Sequence, residues 1–150
     1  MSNARSDKGI RLARGTQSLL ISLGYEAMTE VNLRIRRGVD VMGINNKGRI
    51  IIVEIKNGPA DYHSDTKWQE YLEFCDDFYF AVDRDFPLEL LPDDVGLIIA
   101  DEYEGEIIRP SPDYKLNAAR RRNVTLRFAR IAARRLFTND TPLKEIDNVR

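Results

Sequence analysis

RGVDVMGINNKGRIIIVEIK, residues 37–56, is the stretch that decides the fold. Ile50-Ile51-Ile52-Val53 is the most apolar run in the chain, and Arg49 to Lys56 therefore reads as a central strand. Val39 to Ile44 reads as a second strand. Between the two, Asn45-Asn46-Lys47-Gly48 is a turn signal, because Asn and Gly tolerate positive φ. Side chains alternate across a strand, so Glu54 and Lys56 share one face while Val53 and Ile55 share the other. If Asp40 sits opposite Glu54, the connection is a five-residue loop from Asn45 to Arg49, and Asp40, Glu54 and Lys56 converge. A tighter turn would shift the register by one and carry Asp40 to the wrong face, unless a bulge restored it.

A charged pair at the end of so apolar a strand needs a cause, since buried unpaired charge is costly. Two carboxylates at close range repel unless a cation sits between them. Mg²⁺ suits that place: it takes one or two carboxylates, keeps several waters and binds phosphate oxygens. It would activate a water and stabilise charge on the phosphate, with Lys56 positioning the water or offsetting phosphate charge. The plain alternative is a surface Glu–Lys pair beside a strand-initial Asp, because short E-x-K strings are common.

Outward from this hairpin, Ile10, Ala13, Gln17, Leu20 and Leu23 recur at helical spacing before Gly24, which predicts a helix over 8–23. Ala27 to Arg36 alternates loosely and reads as a strand. After the break at Asn57-Gly58-Pro59, Ser64 or Asp65 can cap a helix running to about Cys75, with Trp68, Tyr71, Leu72 and Cys75 as its buried stripe. Phe78 to Val82 reads as a strand, and Asp83 to Asp94 as an acidic, proline-punctuated loop. Val95–Ala100 and Glu104–Arg109 read as a strand pair. Leu116 to Phe137 is a long helix, with Leu126, Ala129, Ala133 and Leu136 as an apolar face, followed by a loose tail after Thr138. The expected class is α/β: a mixed central β-sheet flanked by helices, one domain over residues 1–150.

The formal net charge of -1 hides segregation. Basic residues gather at Arg5 to Arg14, at Arg34, Arg36 and Arg37, and from Arg120 to Arg135, while acidic ones gather between Asp83 and Glu106. One face could meet phosphates, with Arg37 and the helical Arg127, Arg130 and Arg134 as DNA contacts. The alternatives are a solvated face, or arginines paired with the acidic 83–106 region. His63 is the lone histidine, so no histidine metal cluster or Ser-His triad is available. The single Cys75 excludes an internal disulfide and points to a cytoplasmic setting; it reads as a buried helix residue. No apolar run is long enough to span a membrane, and MSNARSDKGIRLARG lacks the apolar segment of a secretory signal.

The order helix, hairpin with Asp and then Glu-x-Lys, helix, strand resembles the core of the PD-(D/E)XK nuclease superfamily, the restriction-endonuclease-like fold. More narrowly, the chain resembles the MmcB-like family of DNA-repair endonucleases. The resemblance rests on GVD at 38–40, IVEIKNGPADYHSD at 52–65 and KWQEYLEFCDDFYFAVDRDFPLELLP at 67–92. It continues through GLIIAD at 96–101 and RRRNVTLRFARIAARRL at 120–136, nearly the whole chain in order. It implies a metal-dependent DNA endonuclease acting in repair, with Mg²⁺ (or Mn²⁺) held by Asp40, Glu54 and the Ile55 carbonyl, and Lys56 as the catalytic lysine. It also implies Lys67, from the segment after the strand, near the scissile phosphate. Val39 stands where the superfamily name has proline. Gln17, an amide, is the nearest candidate for the first-helix acid of many members. The other functional class is an inactive nuclease-fold module that binds DNA or recruits a repair partner. A homodimer is expected only because 150 residues make a small cleft.

Overall fold

Every residue of the central strand is buried, which is what a run of Ile and Val flanked on both sides by other strands requires. The computed structural model describes residues 6–33 and 38–140. Helix α1 (Asp7–Ser22) leads into β1 (Tyr25–Asn32), β2 (Gly38–Asn45) and β3 (Ile50–Ile55). A short helix α2 (Pro59–Ser64) and a 3-10 segment (Trp68–Phe74) precede β4 (Asp77–Val82), β5 (Gly96–Ala100), β6 (Gly105–Arg109) and the long helix α3 (Ala118–Asp140). The six strands lie in sequence order in one sheet. The β1–β2 and β2–β3 pairs are antiparallel, β3–β4 and β4–β5 parallel, and β5–β6 antiparallel again. This is the mixed α/β sheet that the sequence predicts.

The sheet is covered on both faces. Leu12, Ala13 and Leu20 of α1 pack with Val41, Ile51, Val53, Ile55, Tyr79 and Ile98. On the other side Trp68, Tyr71 and Phe74, with Val124 and Phe128 of α3, pack on Met42, Ile50, Ile52, Phe78 and Phe80. Trp68 and Tyr71 are thus core residues, 7% and 4% exposed. Cys75 is fully buried, and burial pushes its thiol well above its ordinary value, which suits a packing residue. Gly15 lets α1 lie directly against the turn between β5 and β6: a Cβ there would fall on the Asp101 carbonyl oxygen and within 2.9 Å of that of Glu104. Gly15→Ala should therefore lower stability by about 1–3 kcal/mol in urea unfolding, through the shift forced on packed backbone.

Three local expectations are corrected. The helix expected from Ser64 or Asp65 to Cys75 is two short pieces instead, because Pro59 starts a helix early and Ser64 is its last residue. Asp65, rather than capping a helix, accepts the Lys67 N–H in an Asx turn that leads into the 3-10 segment. The first strand ends at Asn32, and Arg34, Arg36 and Arg37 lie outside the described residues, as does the tail beyond Asp140. On α3 the row Leu126, Ala129, Ala133 and Leu136 is exposed, and Val124, Phe128 and Ile131 make the packing face. The helix carries two apolar rows, and Arg121 decides which one docks. Its guanidinium takes both oxygens of the buried Asp76 carboxylate at 2.6 and 2.7 Å.

Candidate functional site

The turn after β2 sets the site. The Asn45 N–H donates to the Arg49 carbonyl, the Asn45 side-chain oxygen accepts the N–H groups of Lys47 and Arg49, and Gly48 takes φ +81. The β2–β3 ladder then runs from Ile44 opposite Ile50 to Val41 opposite Val53. One further step of that register puts Asp40 across from Glu54, so the five-residue connection is the one present.

At this step the carboxylates replace the carbonyls as partners. Glu54 Oε2 accepts the Asp40 N–H at 2.8 Å, and Asp40 Oδ2 accepts the Ile55 N–H at 2.8 Å. Each acid is thereby fixed by the backbone of the other's strand. Lys56, 4% exposed, donates from Nζ to Asp65 Oδ2 at 2.8 Å. Asp40, Glu54, Ile55 and Lys56 line one cleft of about 290 Å³, together with Asn57 and Asp61 from the following loop and helix. Ser6 and Gly9 close it from the start of α1. Asn57 Nδ2 donates to Ser6 Oγ, and Lys8 Nζ donates to the Asn57 carbonyl while pairing with Asp83, so α1 is tied to the cleft wall.

The electrostatics follow from burial. Desolvation pushes the Glu54 carboxyl well above the ordinary carboxylate range, and the nearby Asp40 charge pushes the same way. The Asp40 N–H and the Lys56 ammonium offset this only in part. Burial alone would draw the Lys56 ammonium down, but its bond to Asp65 and the surrounding acids leave it above its usual value. Lys56 is therefore a fixed cation, while the buried Glu54 carboxyl stands beside the half-buried carboxyl of Asp40. A hard divalent cation is the ligand such a pair fits. Among the described residues no three His, Cys, Asp or Glu side chains form a metal-holding group, so the available set is these two carboxylates, with Ile55 lining the same cleft.

The other sequence candidates fall elsewhere. Lys67 is exposed and is not among the lining residues; it reaches the site through Asp65, which joins its N–H to Lys56 Nζ. Gln17 donates to the Ala27 carbonyl and is no part of the cleft. Gly9, about 12 Å nearer the start of α1 at 1.5 Å per residue, is the α1 residue that borders it. Arg127, Arg130 and Arg134 line a separate cleft on α3, and Arg37 lies outside the described residues. His63 is exposed on α2 and stacks at a tilt on Tyr62. Ser6, Asn57 and Asp61 of the cleft, and Asp65 which holds Lys56, are residues that sequence reasoning gave no site role. Their signal is weak, since a Ser before a helix and an Asp after a proline read equally well as local caps.

A family model described as DNA repair protein MmcB-like matches residues 1–142. Comparison with curated proteins gives no match. Among solved structures, a protein of unknown function from Silicibacter pomeroyi is similar at 45% identity and a TM-score of 0.88, over 93% of this chain and 95% of that one. A repair endonuclease from Pyrococcus abyssi matches at 14% identity and a TM-score of 0.43, over 69% of this chain and 50% of the other. Among the described residues no helix is long and apolar enough to cross a membrane.

Proposed function

The chain belongs to the MmcB-like family of DNA repair proteins, and on that premise we propose that it is a divalent-metal-dependent DNA endonuclease whose active site is the Asp40–Glu54–Lys56 cleft. One observation carries this reading: two adjacent carboxylates, Glu54 buried and Asp40 half-buried, each locked by the partner strand's N–H, stand in an open cleft beside a buried lysine. A carboxylate as buried as Glu54, with a second acid beside it, is costly to ionise, and a cation in the cleft would lower that cost. When bound, a Mg²⁺-class ion supplies Lewis-acid charge to a phosphodiester and makes water more acidic at neutral pH.

The chain's own residues do the rest. Asp40 and Glu54 hold the cation, and their backbone bonds keep both carboxylates from swinging with the substrate. Lys56 presents a permanent positive charge to the phosphate, with Asp65 fixing where its Nζ stands. An ammonium has three donors and Asp65 takes one, so the others can meet the phosphate or orient the attacking water.

The test is cleavage of labelled linear, nicked and branched DNAs with Mg²⁺ or Mn²⁺, beside Asp40→Asn and Lys56→Gln proteins of wild-type fold. Cutting that needs the metal and is lost in both variants is the expected result. Clean wild type that binds DNA but cuts none of them would sink the reading in favour of a non-catalytic module that recruits a repair partner.

A further inference from the structure

Arg127, Arg130 and Arg134 serve no part of the fold that their chemistry demands. With Asn123 and Ile131 they line a cleft of about 350 Å³ on the side of α3 adjoining its packed face. Arg127 Nη1 makes one long bond, 3.4 Å, to the Asn32 carbonyl. The side chains of Arg130 and Arg134 make no hydrogen bond or ion pair among the described residues. The pairing with the acidic 83–106 region weighed from the sequence is absent here: the acid that α3 takes among the described residues is Asp76, through Arg121. Three guanidinium groups in one concavity repel one another, and an anion seated among them would relieve that repulsion.

Their position links them to the carboxylates. Asn32, which Arg127 touches, pairs with Gly38, two residues before Asp40. Arg135 of the same helix donates to the Thr29 and Glu30 carbonyls at 2.7 Å, and Thr29 pairs with Val41. The arginine cleft thus adjoins the end of the β1–β2 hairpin that carries Asp40. From Arg127 to Arg134 the helix rises about 10.5 Å. A nucleic-acid strand carries one phosphate about every 3.4 Å along its axis, so the row spans roughly three phosphates.

We propose that Arg127, Arg130 and Arg134 form a phosphate track that holds one DNA strand across α3 and leads it to the Asp40–Glu54 cleft. The inference rests on the nuclease reading for its destination, but the track can be tested without cleavage. The probe is a fluorescein-labelled 20-base-pair duplex, titrated by anisotropy without divalent metal across a salt series. The proteins are wild type, Arg130→Ala/Arg134→Ala and Arg130→Lys/Arg134→Lys. Loss of two phosphate contacts should flatten the log–log salt slope by about 1.8 and weaken binding roughly tenfold near 0.1 M salt. The lysine pair should keep most of the slope. Because Arg130 and Arg134 are exposed, thermal melts should match wild type.

An unchanged slope and affinity in the alanine pair overturns the track, even if wild type cuts DNA. A flattened slope with no cutting by wild type leaves the track standing and removes the nuclease reading alone. Binding of poly-glutamate more tightly than DNA, lost in the alanine pair, overturns the track in favour of an acidic protein partner.

Discussion

Glu54→Gln is expected to abolish DNA cleavage while making the metal-free protein more stable. The two effects have one cause. Glu54 is buried beside Asp40, and its carboxyl holds its proton far more tightly than a free glutamate does. A group whose folded pKa lies above its unfolded value, about 4.3 for Glu, stabilises the fold below that value, and the contribution is lost as pH rises through the folded pKa. At neutral pH without metal, burying Glu54 is therefore a cost to the fold. The amide keeps a side-chain oxygen for the Asp40 N–H and brings no charge, so the variant should melt about 2–4 °C higher, near 1 kcal/mol. Cleavage should fall about a thousandfold or more, because charge stabilisation by a bound metal supplies several kcal/mol of the barrier. Adding Mg²⁺ should raise the wild-type melting temperature and leave the variant's unchanged. Differential scanning calorimetry from pH 5 to 8, with and without Mg²⁺, reads the two melting effects, and cutting of the labelled DNAs reads the loss of cleavage. A variant that melts well below wild type at pH 7, or still cuts at the wild-type rate, would refute this account.

The largest loss of stability is expected from Asp76→Ala. Asp76 is 1% exposed, accepts the Ile50 N–H at 2.8 Å and takes Arg121 with both oxygens. Its own N–H donates to the Ile50 carbonyl, and its carbonyl accepts the Tyr114 N–H. One residue thus joins the start of β3, the approach to β4 and the beginning of α3. Removing the carboxylate strands the Ile50 N–H and a half-buried guanidinium, and breaking such a pair costs about 3–5 kcal/mol. Urea unfolding should show that loss, and Asp76→Asn a smaller one, because the amide oxygen still serves the Ile50 N–H. Burial alone would raise the Asp76 carboxyl, but Arg121 and the Ile50 N–H hold it below its usual range. A depressed acid stabilises above its unfolded value, about 3.9, and that part is lost as pH falls through the folded value. Wild type should therefore weaken below about pH 4 more steeply than Asp76→Asn.

The hairpin was legible because its decisive features are local. Four apolar residues mark the central strand, a turn signal marks where it reverses, and the count from Asn45 to Arg49 fixes which residues oppose. Given that register, alternation alone brings Asp40 to Glu54 and places Lys56 beyond them. What stayed illegible depends on contacts between distant segments. Nothing near Ser6 or Gly9 says that the start of α1 will meet Asn57, 51 residues after Ser6. Gln17 sits at a suitable helical position, yet the depth at which α1 docks is set by Gly15 against the β5–β6 turn. Asp65 reads as a cap because caps are the commoner use of Asp after a loop; its grip on Lys56 needs the chain to fold back through α2. On α3 the sequence points to the row Leu126, Ala129, Ala133 and Leu136, whereas the packed row is the one on the side of Arg121, which binds Asp76 45 positions upstream.

The reciprocal clasp of Asp40 and Glu54 has a consequence for descent. Holding β2 to β3 needs only an oxygen at each position, which asparagine and glutamine supply without the burden of buried charge. A relative released from its chemistry would gain stability by drifting to amides at both places while leaving the sheet intact. On the proposed reading, Asn or Gln at 40 and 54 would mark a relative in which the work of this cleft has lapsed while the sheet stands.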